Sequence, residues 1–267
     1  MVLMRNSSGN FITTTEMNKR VRYKKRTSRK FFGLLLLLIG VLLISLFLPV
    51  FNIAAIDVKG NDRVSAQDII DASGIEKGIN IFRADLVKAK TNIRKIPYID
   101  SVKISRVFPN SITITVVERK PVGYIPFMGS YIFIDQKGNV LEVVPEVKDK
   151  ILPVIVGLKF NEFKLGEVIK VDEEKKLEII VDCVREIINN KLLDQISHID
   201  VHDVDNIQLN VRKQIIVTLG DSQKIGYKMS FLKEILNELK NGEKGYIDLR
   251  NVDRVTFRPS EYVEVMQ

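Results

Sequence analysis

The sequence predicts an α+β protein: a single apolar span, a β-α-α-β-β unit, and a larger mixed α+β unit with an extended sheet. Three observations carry this reading. Residues 31–51 hold no charge, and seventeen of the 21 are Phe, Leu, Ile or Val. Beyond them, the period-2 alternation of strands and the longer period of helices change places repeatedly. The one cysteine, Cys183, allows no intramolecular disulfide, so the folded units must be held by apolar cores alone.

The span comes first. At about 1.5 Å per residue, a helix of this length reaches roughly 30 Å, the thickness of a bilayer core. A cleaved signal peptide is the competing reading. Its apolar core is about 7–15 residues long and ends at a small-residue site. Here the run is longer, and only Asn52–Ala55 faintly suggests such a site, which favours an uncleaved transmembrane helix at 31–51. Residues 1–30 carry nine Lys or Arg against Glu16, a net +8 equal to that of the whole chain, which leaves residues 31–267 neutral. The positive-inside rule then puts the tail in the cytosol and the bulk of the chain outside. Anionic lipid and topology account for that charge, so no nucleic-acid partner is expected. Its few apolar residues predict disorder.

The first unit covers 53–120. Ile53–Val58 reads as a strand closed by Gly60-Asn61. Ser65 fits as the cap of a helix that stops before Gly74, and Asp85 as the cap of one that ends before Pro97. Strands are expected at Ile99–Val107 and Ile112–Val117, joined by a turn containing Pro109, with Ile112, Ile114 and Val116 facing inward.

The second unit covers 121–258, with 259–267 as a tail. A hairpin is expected over Tyr131–Asp135 and Val140–Val143, and a short strand at Pro153–Gly157. Asp172 reads as the cap of a long helix to about Leu193. Strands follow at Ile199–Val201, Ile207–Val211 and Ile215–Leu219, then a helix over Met229–Lys240. Tyr246–Leu249 and Val252–Phe257 close the unit.

Chemistry is sparse. The chain has no Gly-rich phosphate loop, no Gly-x-Ser-x-Gly and no Cys-x-x-Cys. His198, Asp200 and His202 share one face of a strand and offer a zinc-like ligand set. The plainer reading is a solvent-facing strand with Ile199 and Val201 buried behind it. Cys183 sits in an apolar helical pattern and reads as a small core residue. No catalytic, cofactor or metal residues are therefore assigned.

Several short motifs stand in a set order after the span: Val58-Lys59-Gly60-Asn61, Gly78-Ile79-Asn80-Ile81-Phe82, Ile96-Pro97-Tyr98-Ile99, then Val102, Arg106 and Pro109, and Ile112–Val117 running into Glu118-Arg119-Lys120-Pro121. Together they resemble a POTRA domain of the FtsQ/DivIB type. Tyr246-Ile247-Asp248-Leu249-Arg250 is similar to that family's near-terminal signature, whereas 146–190 matches by pattern only. The resemblance implies a non-enzymatic scaffold at the bacterial division septum, enriched there in the cell membrane. Its implied partners are FtsL-like and FtsB/DivIC-like bitopic proteins and, through them, septal peptidoglycan synthases. It also implies that the coiled-coil partner adds a strand at the last segment, Val252, Arg254, Val255, Thr256, Phe257 and Arg258, with Phe257 at an aromatic contact. A chain's last strand often lies at a sheet edge with unpaired backbone groups, Thr256 among the donors here; the other reading of the same residues is that Val255 and Phe257 simply close the core. Two alternatives stand beside it, a membrane-anchored cell-wall enzyme and a POTRA-type translocation factor.

Overall fold

The computed structural model describes residues 4–5, 11–12, 31–41, 48–148, 151–240 and 242–260. In the basic tail, β1 (Met4–Arg5) pairs antiparallel with β2 (Phe11–Ile12), where the sequence predicts disorder. The strand propensity of Phe11 and Ile12 gives a local reason. The rest of the tail, residues 42–47 of the expected span and the tail after Ser260 lie outside the described residues. Helix α1 occupies 31–41, with its large side chains exposed. No helix among the described residues is long and apolar enough to cross a membrane.

The described residues form two compact units. The first lies within Met1–Asp57, Glu76–Ala84 and Ser105–Thr113, the second within Val58–Ile75, Asp85–Ile104 and Ile114–Gln267. Strands β3 (Ala55–Lys59), β4 (Ile99–Val107) and β5 (Ser111–Glu118) form a three-stranded sheet in the order β3-β5-β4.

In the first unit, a 3-10 turn at Pro49–Phe51 leads into a backbone clasp. Ile53 N–H donates to Ile79 O, Gly78 N–H to Ile53 O and Ile81 N–H to Phe51 O, each at 2.8 Å. The Arg106 guanidinium donates to Ile81 O and Ala84 O, so the 76–84 segment has a charged brace. The Phe108-Pro109 peptide is cis.

In the second unit, helices α2 (Ala66–Ser73) and α3 (Leu86–Ile93) start where their caps require. Ser65 Oγ accepts from Asp68 N–H, and Asp85 Oδ1 accepts from Val87 and Lys88 N–H. These satisfy helix donors that have no partner inside the helix. Ile114 and Val116 are buried here and Ile112 in the first unit, as the alternation requires.

The large sheet has nine strands in the order β14-β13-β12-β11-β10-β9-β6-β7-β8. They are β6 (Pro121–Phe127), β7 (Ser130–Asp135), β8 (Val140–Val144), β9 (Val154–Val156), β10 (Ile196–Asp200), β11 (Ile207–Val211), β12 (Ile215–Gly220), β13 (Gly245–Asp248) and β14 (Thr256–Pro259). Helices α4 (Glu174–Asn189) and α5 (Ile225–Glu238) bury Ile180, Val184, Ile187, Met229 and Leu232 against Ile199, Leu209, Val217 and Ile247. That packing selects one face. On the other, Arg258, Tyr246, Ile216, Asn210, His198 and Val154 lie opposite one another in successive strands.

Several elements depart from the sequence reading. Strand β6 is unforeseen, and it contains Pro121, Gly123 and Pro126, residue types that ordinarily interrupt a strand. Its ladder to β9 is a single pair, Tyr124 with Val154, so the prolines remove no bond there. Helix α4 is N-capped by Glu173, not Asp172, and α5 begins at Ile225, ahead of the expected Met229. The last strand is Thr256–Pro259. Val252 and Arg254 stand in a turn, where Asn251 Oδ1 accepts from Asp253 N–H and Asn251 O from Arg254 N–H.

Candidate functional site

The acidic-histidine segment does not build a ligand cage. Asp200 Oδ1 accepts from His202 N–H at 2.8 Å and meets His202 Nδ1 at 2.7 Å on the surface. Burial lowers the pKa of His198, against the opposing pull of Asp200. Ile199 and Val201 are fully buried behind them. Among the described residues no His, Cys, Asp and Glu group is arranged to hold a metal. Cys183 is sealed in α4, and burial pushes its thiol up to about 12.

The POTRA-motif residues build two structural nodes. In the first unit, Gly78 belongs to the clasp, Asn80 Oδ1 accepts from Phe82 N–H, and Pro109 shapes the hairpin. In the second unit, the chain turns sharply after β3. Gly60 has φ +83°, and a Cβ there would lie 2.2 Å from Val116 O, so only glycine fits. Asn61 Nδ2 donates to Val64 O. The Glu118 carboxylate gathers the N–H groups of Asp62, Arg63 and Val64 at 2.9–3.0 Å. Partial burial opposes its charged form, but these three donors and the Arg63 charge hold its pKa below the usual range.

The next residue reaches the nine-stranded sheet. Arg119 N–H donates to Tyr98 O, and its guanidinium donates to Gly166 O at 3.1 Å. Its Nε lies 3.7 Å from Asp135 and 3.8 Å from Asp100. Asp135 is itself buried, and it accepts from Lys137 N–H, Asn139 N–H and Asn139 Nδ2. Gly166 N–H in turn donates to Val140 O, and Val140 N–H to Glu167 O. Pro97 packs near Gly166, and Pro121 opens β6. Arg63 adds a second tie, bonding Tyr98 and pairing with Glu142 at 3.1 Å. Sequence reading missed Arg63, Asp135 and Asn139, whose partners are far away in the chain.

The signature near the terminus supplies the other candidate. Strand β14 is the outermost strand at its end of the sheet and pairs with β13 in the register Tyr246–Arg258, Ile247–Phe257 and Asp248–Thr256. Ser260 N–H donates to Lys244 O, while Gly245 and Leu249 N–H donate toward β12. Antiparallel alternation then turns the backbone groups of Thr256 and Arg258 inward to β13 and those of Phe257 outward. Thr256 is therefore not an outward donor, contrary to the sequence expectation. Pro259 offers no N–H at the next outward position. A Cβ on Gly245 would come 2.3 Å from Arg258 O, so glycine lets β14 approach. Arg250 donates to the Asp248 carboxylate through Nε and Nη2, and Leu249 is fully buried. Val255 and Phe257, half-buried, line an open groove of about 840 Å³ with Ile235, Leu239 and Pro259.

A three-stranded POTRA-like sheet is followed in the chain by a nine-stranded sheet covered on one face by two helices. Residues 51–119 match the family "POTRA domain, FtsQ-type", and residues 124–250 match "Cell division protein FtsQ/DivIB, C-terminal". The cell division protein DivIB of Clostridium botulinum strain Hall is 33% identical over 91% of this chain and 95% of its own length. DivIB of Clostridium acetobutylicum is 33% identical over 76% of this chain and 80% of its own. DivIB of Bacillus cytotoxicus is 30% identical over 85% and 87%. The chain belongs to the FtsQ/DivIB family of cell division proteins.

Proposed function

We propose that the chain is a non-enzymatic, single-pass scaffold of the division septum. Residues 31–51 anchor it with the basic tail in the cytosol, and the stretches 53–120 and 121–258 work outside as POTRA and β domains. It joins FtsL-like and FtsB/DivIC-like bitopic partners and thereby helps control septal peptidoglycan synthases. The observation that carries this reading is the outer edge of β14. No described strand pairs with it, it presents the Phe257 N–H and C=O, and it adjoins the α5 groove. An extended partner segment can add there as a strand, with backbone bonds giving affinity and alternate side chains entering the groove.

The test separates backbone from side chain. Phe257→Pro removes the outward N–H and the ring, whereas Phe257→Ala removes the ring alone. Binding of the coiled-coil partner's ectodomain is measured by calorimetry, with circular dichroism on the same samples. Strand addition requires the proline variant to bind more weakly than the alanine variant while both stay folded. Equal affinities would remove backbone pairing from the proposal. Orientation is tested separately by a reporter fused after Gln267, which should be active only outside the cytosol.

A further inference from the structure

The first compact unit carries an exposed apolar ridge, and we infer that it is a lipid-contacting foot seated in the outer interface of the membrane. This rests on the reading of residues 31–51 as a membrane anchor. The ridge begins within that stretch: Leu48 and Val50 are about half exposed, at 50% and 52%. Phe51 lies against Phe82 with ring centroids 5.5 Å apart, and Phe82 against Phe108 at 5.4 Å. Phe82, Val107 and Phe108 remain 41%, 48% and 58% exposed, an expensive arrangement in water for three large side chains.

Backbone bonds tie residues 51–54, at the end of the anchor stretch, to the ridge. Phe51 O accepts from Ile81 N–H at 2.8 Å, and Asn52 bridges Asn80. Ala54 N–H donates to Asn110 O, which ties the Phe108 hairpin to the same segment. An anchor that ends at Phe51 therefore holds Phe82 and Phe108 at the headgroup level, the depth where aromatic rings are enriched. Arg83, exposed beside Phe82, has the charge to meet lipid phosphate at that depth. The Arg106 brace onto Ile81 O and Ala84 O keeps the Phe82 segment in shape.

The chain contains no tryptophan, so a single introduced indole is its only one. Full-length protein carrying Phe82→Trp, Phe108→Trp or Leu38→Trp is placed in lipid nanodiscs with plain or dibrominated acyl chains, and circular dichroism verifies each fold. A lipid-seated foot makes Phe82→Trp and Phe108→Trp lose emission in brominated lipid and resist quenching by aqueous iodide. If Leu38→Trp is quenched by bromine while both ridge probes ignore it and yield to iodide, the foot is overturned and the anchor stands. If the ridge probes are quenched and Leu38→Trp is not, lipid contact stands and the anchor reading falls. Quenching of none of the three overturns both.

Discussion

The two edges of the nine-stranded sheet are finished in opposite ways. At β8 the chain closes its own edge. Val140 exchanges bonds with Gly166 and Glu167, Asn139 bridges Val168, and Arg119 holds the segment through Gly166 O. At β14 no described residue does this, and Pro259 leaves one missing donor beyond Phe257. An edge left unpaired is an aggregation hazard that proteins usually cover. One edge is thus tied down by a half-buried arginine and the chain's own backbone, whereas the other carries only a proline next to its outward donor.

The most drastic way to break this comparison is Ile114→Asp. Burying an unpaired carboxylate at a fully buried site costs several kcal/mol and should unfold the POTRA sheet. Hydrogen exchange should then show the β8 edge loosening, through loss of the Arg119 support, while the N–H of Tyr246 stays protected. A native thermal midpoint for this variant would refute the assignment of the β5 inner face.

A smaller loss is expected for Arg119→Ala, about 1–3 kcal/mol in urea unfolding, because Gly166 O and the buried Asp135 lose a cationic neighbour. No change would mean the β8 edge is closed by its backbone bonds alone. In the unmodified protein, the Phe257 N–H should exchange at least about 100-fold faster than the Val140 N–H, the ratio for a difference of roughly 2.7 kcal/mol in local opening. Equal protection would mean that both edges are covered.

The mildest effect concerns pH. The folded pKa of Glu118 is lowered, so its contribution is fully present above the ordinary glutamate value of about 4.3 and fades as pH falls through the lowered folded value. Thermal midpoints measured from pH 6 down to 3 should fall less steeply in Glu118→Gln than in the parent. Parallel curves would show that the turn at Asp62–Val64 is held without the carboxylate's charge.

What the sequence made legible is mostly local. Ser65 and Asp85 announce their helices because a cap acts within three residues, and Ile112, Ile114 and Val116 announce β5 by alternation. Strand β6 stayed hidden because the tolerance for its prolines depends on how briefly β9 pairs with it. The outward donor at the terminus could not be read from residue types, since it follows from the β13 register that puts Ser260 opposite Lys244. The Arg119 node was recognisable as a motif, but its partners Asp100, Asp135 and Gly166 come from three separate segments.

Cys183 has a practical consequence. Its thiol is sealed in the core, and burial pushes its pKa up to about 12, which disfavours the thiolate that maleimides and disulfide exchange require. The wild-type chain should therefore react slowly with thiol reagents, without any cysteine having to be removed. A cysteine introduced on β14, beside Arg63 or on the Phe82 ridge would be the sole reactive handle, so distance labels and crosslinkers can be mounted one at a time on the native sequence.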